Sequence, residues 1–249
     1  MTNFFRDSAV WEKLEEKVLP AVIANMQEGS ILRAWVPGCS TGEEAYSLAI
    51  AFKETLEKIN PHAGISLQIF ASDLDNEAIE TARKGVFPPN IASDVSPKRL
   101  GRFFIKTEEG YRVNTEIREM VVFAPQNVIK DPPFTKLDLL SCRNLLIYLD
   151  AVLQQKLLSL FHYSLNFNGI LVLGSAETQS GQNDFLKPVD TKLCIYQRSG
   201  FAKTDELLNF PSSFALSKPG FTDNHSTVKI PDNLQMLTDQ LLLQQFSPS

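Results

Sequence analysis

The sequence predicts a doubly wound, mostly parallel α/β sheet of the Rossmann-like kind, with a small antiparallel β-element inserted into it. Three observations carry this expectation. Apolar runs of strand length alternate with helical patterns, as in Ile31–Val36 before Glu43–Lys58 and Ser66–Ala71 before Asn76–Lys84. The first strand feeds a glycine loop, Gly38-Cys39-Ser40-Thr41-Gly42, that opens a helix. That junction is where open α/β sheets bind nucleotide-like cofactors. Residues 86–123 then break the alternation before it resumes with Met120–Ala124 and Leu137–Ser141.

Taken in order, Val10 to Met26 reads as an amphipathic helix, with Val10, Leu14, Val18, Val22 and Met26 at every fourth position and Pro20 interrupting it. Ile31–Val36 is the first buried strand, and Ser66–Ala71 the second. Pro88-Pro89 is expected to end the helix that begins at Asn76. Ser96-Pro97-Lys98-Arg99-Leu100 reads as a capped short helix. Phe103–Lys106 and Tyr111–Val113 flank Thr107-Glu108-Glu109-Gly110, a hairpin with glycine in its turn. Asp150–Leu165 is a helix with Asp150 as N-cap. Gly169–Gly174 is a strand, and Lys192–Gln197 a late antiparallel one. Ser199-Gly200 closes the folded core, giving a cofactor-binding domain over 1–200. In the remainder, 201–249, Pro211 to Gly220 reads as a linker and Asp232 to Phe246 as a helix. That helix either docks on the core or leads onward to a signalling partner.

Composition narrows the function classes. A chain of 249 residues with 43% hydrophobic content supports a sizeable core. A net charge of −5 argues against a surface built for nucleic acid. Cys39, Cys142 and Cys194 are odd in number and far apart, which indicates neither a disulfide framework nor a metal-binding pair. The scattered His62, His162 and His225 argue against zinc or iron. With no signal peptide and no apolar run of ~18–20 residues, the expected location is the cytoplasm, without direct membrane insertion. The abrupt start and end suggest a piece of a longer protein.

The glycine loop is followed by Glu43-Glu44. A pyrophosphate favours the bare positive end of a helix, and two carboxylates in the first turn disfavour it. A ligand with a cationic end and hydroxyls, such as S-adenosylmethionine, fits better than NAD; an ordinary strand–helix turn is the plain alternative. Asp73 and Asp75 close the second strand, where an acid accepts ribose hydroxyls and one of the two serves as a helix cap. Asn127 has an amide suited to an adenine edge, or to a turn. Arg143, Asn144 and Tyr148 fall at the carboxyl end of Leu137–Ser141, where active-site groups of such sheets gather. The Tyr148 phenol suits orienting an acceptor oxygen, and Arg6 suits gripping a carboxylate. Their plain alternatives are a packed surface tyrosine and a solvated helix-entry residue. Cys142 reads as a small buried residue rather than a nucleophile.

Five segments in order resemble one family: Thr2-x-Phe4-Phe5-Arg6-Asp7, Gly38 through Ser47, Ala71-Ser72-Asp73-Leu74-Asp75, Asn127-Val128 and Cys142 through Tyr148. They are similar to the chemotaxis-receptor glutamate O-methyltransferases of the CheR type, over about Thr2 to Arg198. The resemblance implies a domain using S-adenosylmethionine and releasing S-adenosylhomocysteine. It implies cofactor contacts from Thr2, Arg6, Gly38, Glu44, Asp73, Asn127, Val128, Arg143 and Asn144, with Arg6 and Tyr148 beside the methyl-transfer site. It implies that 86–123 is the family's receptor-touching β-subdomain. The family's N-terminal helical domain has no counterpart here, nor does an Asn usually found two residues before the Thr. The short turn Thr107–Gly110 lacks the longer Gly-Pro-His loop of members that dock on a receptor's C-terminal pentapeptide, so the pentapeptide-independent kind is expected. The tail from Phe201 resembles the linker of hybrid signalling proteins. A non-catalytic sensor of the cofactor, or a methyltransferase for a small acid, remains an alternative at this point.

Overall fold

The computed structural model describes residues 2–59, 64–175 and 186–200. The expected linker at Pro211–Gly220 and helix at Asp232–Phe246 lie outside the described residues.

Among the described residues, seven strands form the main sheet: β1 (Ile31–Pro37), β2 (Ser66–Asp73), β6 (Val121–Pro125), β7 (Leu137–Cys142), β8 (Leu165–Leu173), β9 (Leu186–Asp190) and β10 (Ile195–Arg198). Their order is β6-β2-β1-β7-β8-β10-β9. β6, β2, β1, β7 and β8 run parallel, whereas β10 is antiparallel to both β8 and β9. The order reverses between β1 and β7, which opens a crevice at their carboxyl ends. β1 is central and covered on both faces, which explains its nearly continuous apolar run with Leu32, Ala34, Trp35 and Val36 buried. Trp35 satisfies its indole N–H on Ser72 Oγ at 2.9 Å, tying β1 to β2 inside the core. No described helix is long and apolar enough to cross a membrane.

The first helical region takes a form the fourfold spacing did not reveal. It comprises α1 (Ser8–Lys13), a π turn over Leu14–Val18, and α2 (Leu19–Ala24). Pro20 has no N–H to give the preceding turn, and its ring crowds the carbonyl four residues back. The wider π turn just before it absorbs this mismatch. One extra residue per turn rotates the apolar stripe. Val10, Leu14 and Val18 are buried, and the stripe then passes to Leu19 and Ile23, leaving Val22 and Met26 only half-buried.

α3 (Glu43–Ile59) and α4 (Asn76–Lys84) cover the sheet beside β1 and β2, and Tyr46 Oη donates to the Ala82 carbonyl at 2.7 Å to join them. α4 does not run on to Pro88-Pro89 as expected. Gly85 adopts φ 61° and its N–H closes the last turn on Thr81 and Ala82, so glycine ends the helix. The freed residues form β3 (Val86–Phe87), which joins β4 (Phe104–Thr107) and β5 (Gly110–Val113) in a small antiparallel sheet ordered β3-β5-β4. Gly110 is required there: a Cβ at φ 140° would stand 2.1 Å from the Phe87 carbonyl oxygen. The expected hairpin and the Ser96 cap are both present, the Ser96 hydroxyl accepting from Arg99 N at the start of α5 (Pro97–Phe103). A further short helix, α6 (Thr115–Arg118), is capped by Asn114.

This insertion is fastened to the rest by two devices. Phe4 is buried edge-on against Phe87 (4.8 Å between centroids) and Phe104 (5.3 Å). Arg99 pairs with Glu15 and with Glu54 (2.7 Å), while its guanidinium lies 4.1 Å over the Phe5 ring.

Beyond β7, Asp150 caps α7 (Ala151–Ser164) by accepting from Leu153 N at 2.8 Å. β8 starts at Leu165, earlier than the expected Gly169. Asn168 takes φ 64° inside the strand and the register on β7 shifts there. β10 likewise begins at Ile195 rather than Lys192. Asp190 Oδ1 accepts from Lys192 N and Leu193 N, which holds those residues in the turn.

Candidate active site

β1 ends at Pro37, and Gly38 at φ 68° turns the chain across the crevice. A Cβ there would press on the Leu145 side chain at 3.2 Å, so glycine serves both conformation and space. Cys39 N donates to the Ser72 carbonyl (3.0 Å), and Ser40 N to Asp73 Oδ2 (2.7 Å). The other oxygen of Asp73 accepts from Asp75 N at 3.0 Å. Asp73 is thus aimed from the end of β2 into the glycine loop, with half of its roughly four lone-pair sites still open. Asp75 is the cap, accepting from Glu77 N and Ala78 N of α4.

The two glutamates opening α3 part company, which corrects the expectation that both charge the cofactor-facing turn. Glu43 is buried and accepts from Thr41 Oγ1 at 2.7 Å. Helical spacing places adjacent side chains about 100° apart, so only one faces the crevice. Burial pushes the Glu43 carboxyl above its ordinary range, outweighing the Thr41 bond. A raised value in the folded state means that stability falls as pH climbs from the ordinary carboxyl range through the raised one. Glu43→Gln escapes this loss. Its melting temperature relative to wild type should therefore rise as pH climbs from the ordinary carboxyl range through the raised one; a flat difference across thermal melts would show that Glu43 carries no such penalty.

Glu44 faces the crevice. It accepts from Ser141 Oγ (2.8 Å) and Arg143 Nη1 (3.0 Å), with 14% of its side chain exposed. Arg143, only 3% exposed, sends its other amino group to the Arg6 carbonyl (2.8 Å) and Asp7 Oδ2 (2.5 Å). One buried guanidinium therefore joins α3, β7 and the N-terminal segment. Phe5 N adds a bond to Ser47 Oγ at 3.0 Å.

Together these elements enclose a cavity of about 360 Å³. Of the residues singled out in the sequence, Thr2, Arg6, Gly38, Glu44, Asp73, Arg143, Asn144 and Tyr148 line it. Asn127 and Val128 do not. They follow β6, and the Asn127 amide oxygen already accepts from Ile129 N and Lys130 N. Arg6 and Tyr148 are exposed, Tyr148 by 79%. Ser40, Ser141 and Asp7 stand in the sequence only as members of a loop, a strand and a motif and were given no role at the site, although a polar residue near the end of a buried strand, as Ser141 is, is itself a signal. Cys39 also borders the cavity, but burial, reinforced by the Asp73 charge, pushes its thiol up and keeps it un-ionised. Cys142 is fully buried, as expected.

A family model described as "CheR methyltransferase, SAM binding domain" matches residues 1–195. An uncharacterised 104.1 kDa protein of Rhodobacter capsulatus is 42% identical over 79% of this chain and 20% of its own. Chemotaxis protein methyltransferase 2 of Vibrio cholerae is 31% identical over 72% of this chain and 62% of its own. Chemotaxis protein methyltransferase 1 of Pseudomonas aeruginosa is 33% identical over 80% of this chain and 73% of its own. The chain thus spans a fifth of the first relative and about three-fifths of the second.

Proposed function

Since this chain belongs to the CheR methyltransferase family, we propose that it esterifies glutamate side chains of chemotaxis-type receptors with the methyl group of S-adenosylmethionine. The observation that carries this reading is the cavity itself: Asp73 and Glu44 point into it from β2 and α3, and Arg6 and Tyr148 stand on its border. The donor set suits the cofactor. Asp73 offers free lone pairs to a ribose diol, and the Glu44 carboxylate offsets a cationic methionine end. Asn144, Thr2 and Gly38 complete the cradle, with Asn127 and Val128 beyond it toward the adenine.

Bound S-adenosylmethionine supplies an electrophilic methyl carbon, whose bond to sulfur breaks as a glutamate oxygen bonds to it. An acceptor glutamate with pKa near ~4.3 is already ionised at neutral pH, so the protein needs no general base. Its residues orient and desolvate instead. Arg6 pairs with one acceptor oxygen and Tyr148 donates to the carboxylate, leaving the other oxygen aimed at the methyl group.

The domain runs over 1–200 and works in the cytoplasm. The receptor is of the pentapeptide-independent kind. The β4–β5 turn is tight and carries Glu108 and Glu109 at its tip, a poor seat for a C-terminal carboxylate.

Calorimetric titration with S-adenosylhomocysteine should give one-to-one binding. Tyr148→Phe should keep that affinity and slow receptor methylation by several-fold to about ten-fold, the worth of one hydrogen bond. Methylation at the normal rate would remove Tyr148 from the reaction, and absence of any titration heat would count against the cofactor site.

A further inference from the structure

Exposed apolar side chains are not spread evenly over this surface. They gather at two places along the chain, Ile147, Tyr148 and Val152 within six residues and Tyr163 and Phe167 within five, and only the first group includes a residue that lines the cavity, Tyr148. Ile147 is 46% and Val152 62% exposed. Single exposed apolar residues are ordinary, but a group beside a reaction cavity is a mark of contact.

The segment that presents them is rigid. A 3₁₀ turn over Leu146–Tyr148 runs into the Asp150-capped α7. The Gln154 amide donates to both the Leu146 and the Leu149 carbonyl, each at 3.0 Å, which locks the turn against the helix. Such a surface loses little entropy when something docks on it. Tyr148 belongs to the cavity and to this lip at once. The reaction destroys a negative and a positive charge, so it gains from exclusion of water, and Ile147, Tyr148 and Val152 beside it are exposed.

Building on the proposed function, we infer that the Ile147–Val152 lip is the docking surface for the acceptor protein itself, engaging apolar side chains that flank the methylated glutamate. The occupant is thus a protein segment with a carboxylate set between apolar neighbours. The carboxylate enters beside Tyr148 and its neighbours seal the lip. The lip chooses among acceptor glutamates by what surrounds them, and it takes no part in holding the cofactor.

The test uses the full-length protein, radiolabelled S-adenosylmethionine, and receptor cytoplasmic fragments from the same organism. Val152→Glu and the milder Ile147→Ser are both surface changes. Each should raise KM for the fragment, by about ten-fold for Val152→Glu, because a lost apolar contact and a buried charge both weaken docking. The limiting rate and the affinity for S-adenosylhomocysteine should stay at wild-type values. Unchanged KM in both variants overturns the inference, as does loss of S-adenosylhomocysteine affinity, which would assign the lip to the cofactor site. A wild-type protein that binds S-adenosylhomocysteine but esterifies no receptor fragment would instead remove the functional reading, and this inference with it.

Discussion

Asp73→Ala is expected to weaken S-adenosylhomocysteine binding by about a hundred-fold or more. The figure follows from two charge-assisted hydrogen bonds to a ribose, each worth roughly 1.5–3 kcal/mol. The side chain also holds Ser40 N and Asp75 N, so its loss loosens the glycine loop as well. Asp73→Asn separates the two effects: its amide oxygen still accepts one backbone N–H, but the charge is gone. The loss should therefore be intermediate in Asn and full in Ala when both are titrated. Wild-type affinity in Asp73→Ala would mean that the ribose sits elsewhere.

Arg143→Met should be the most destabilising change near the cavity. It strips Glu44 of its cation and leaves the Arg6 carbonyl and Asp7 without their shared donor. Breaking a buried pair by deleting one partner costs about 3–5 kcal/mol. For a domain of this size that is roughly 10 °C in melting temperature. Adding Glu44→Gln to Arg143→Met should recover part of the loss, since the uncompensated carboxylate is then removed. Cofactor affinity should fall in the single variant too, because the N-terminal segment that carries Thr2 and Arg6 loses its anchor. A melting temperature within a degree or two of wild type would show that the guanidinium holds nothing together.

Much of this architecture was legible in the chain because the signals were strong and local. Buried parallel strands must be continuously apolar, so β1 and β7 stand out. Asp75, Ser96 and Asp150 cap helices because short polar side chains before a helical run have few other uses. What was not legible depended on neighbours. β3 is two residues long and exists only because β5 lies beside it. β9 contains Pro188, whose missing N–H only an edge position excuses. The divergence of Glu43 from Glu44 is set by the angle at which α3 meets the sheet, and the ion pairs of Arg143 with Glu44 and Asp7 cross 99 and 136 positions of sequence. Asp73, Glu44 and Tyr148 were readable as a set because each closes or follows a strand at the same end of the sheet.

The wedge of Phe4 between Phe87 and Phe104 means that the small sheet is not an exchangeable cassette. Phe4 stands two residues from Arg6 on one short stretch of backbone, so the depth at which the ring seats fixes where the arginine can reach. Transplanting residues 86–123 from a relative with a different aromatic socket would unseat Phe4 while leaving every cavity residue of the recipient in place. A graft of this small sheet therefore has to carry its own version of the segment around Phe4, or Arg6 will answer to a foundation it was not fitted to.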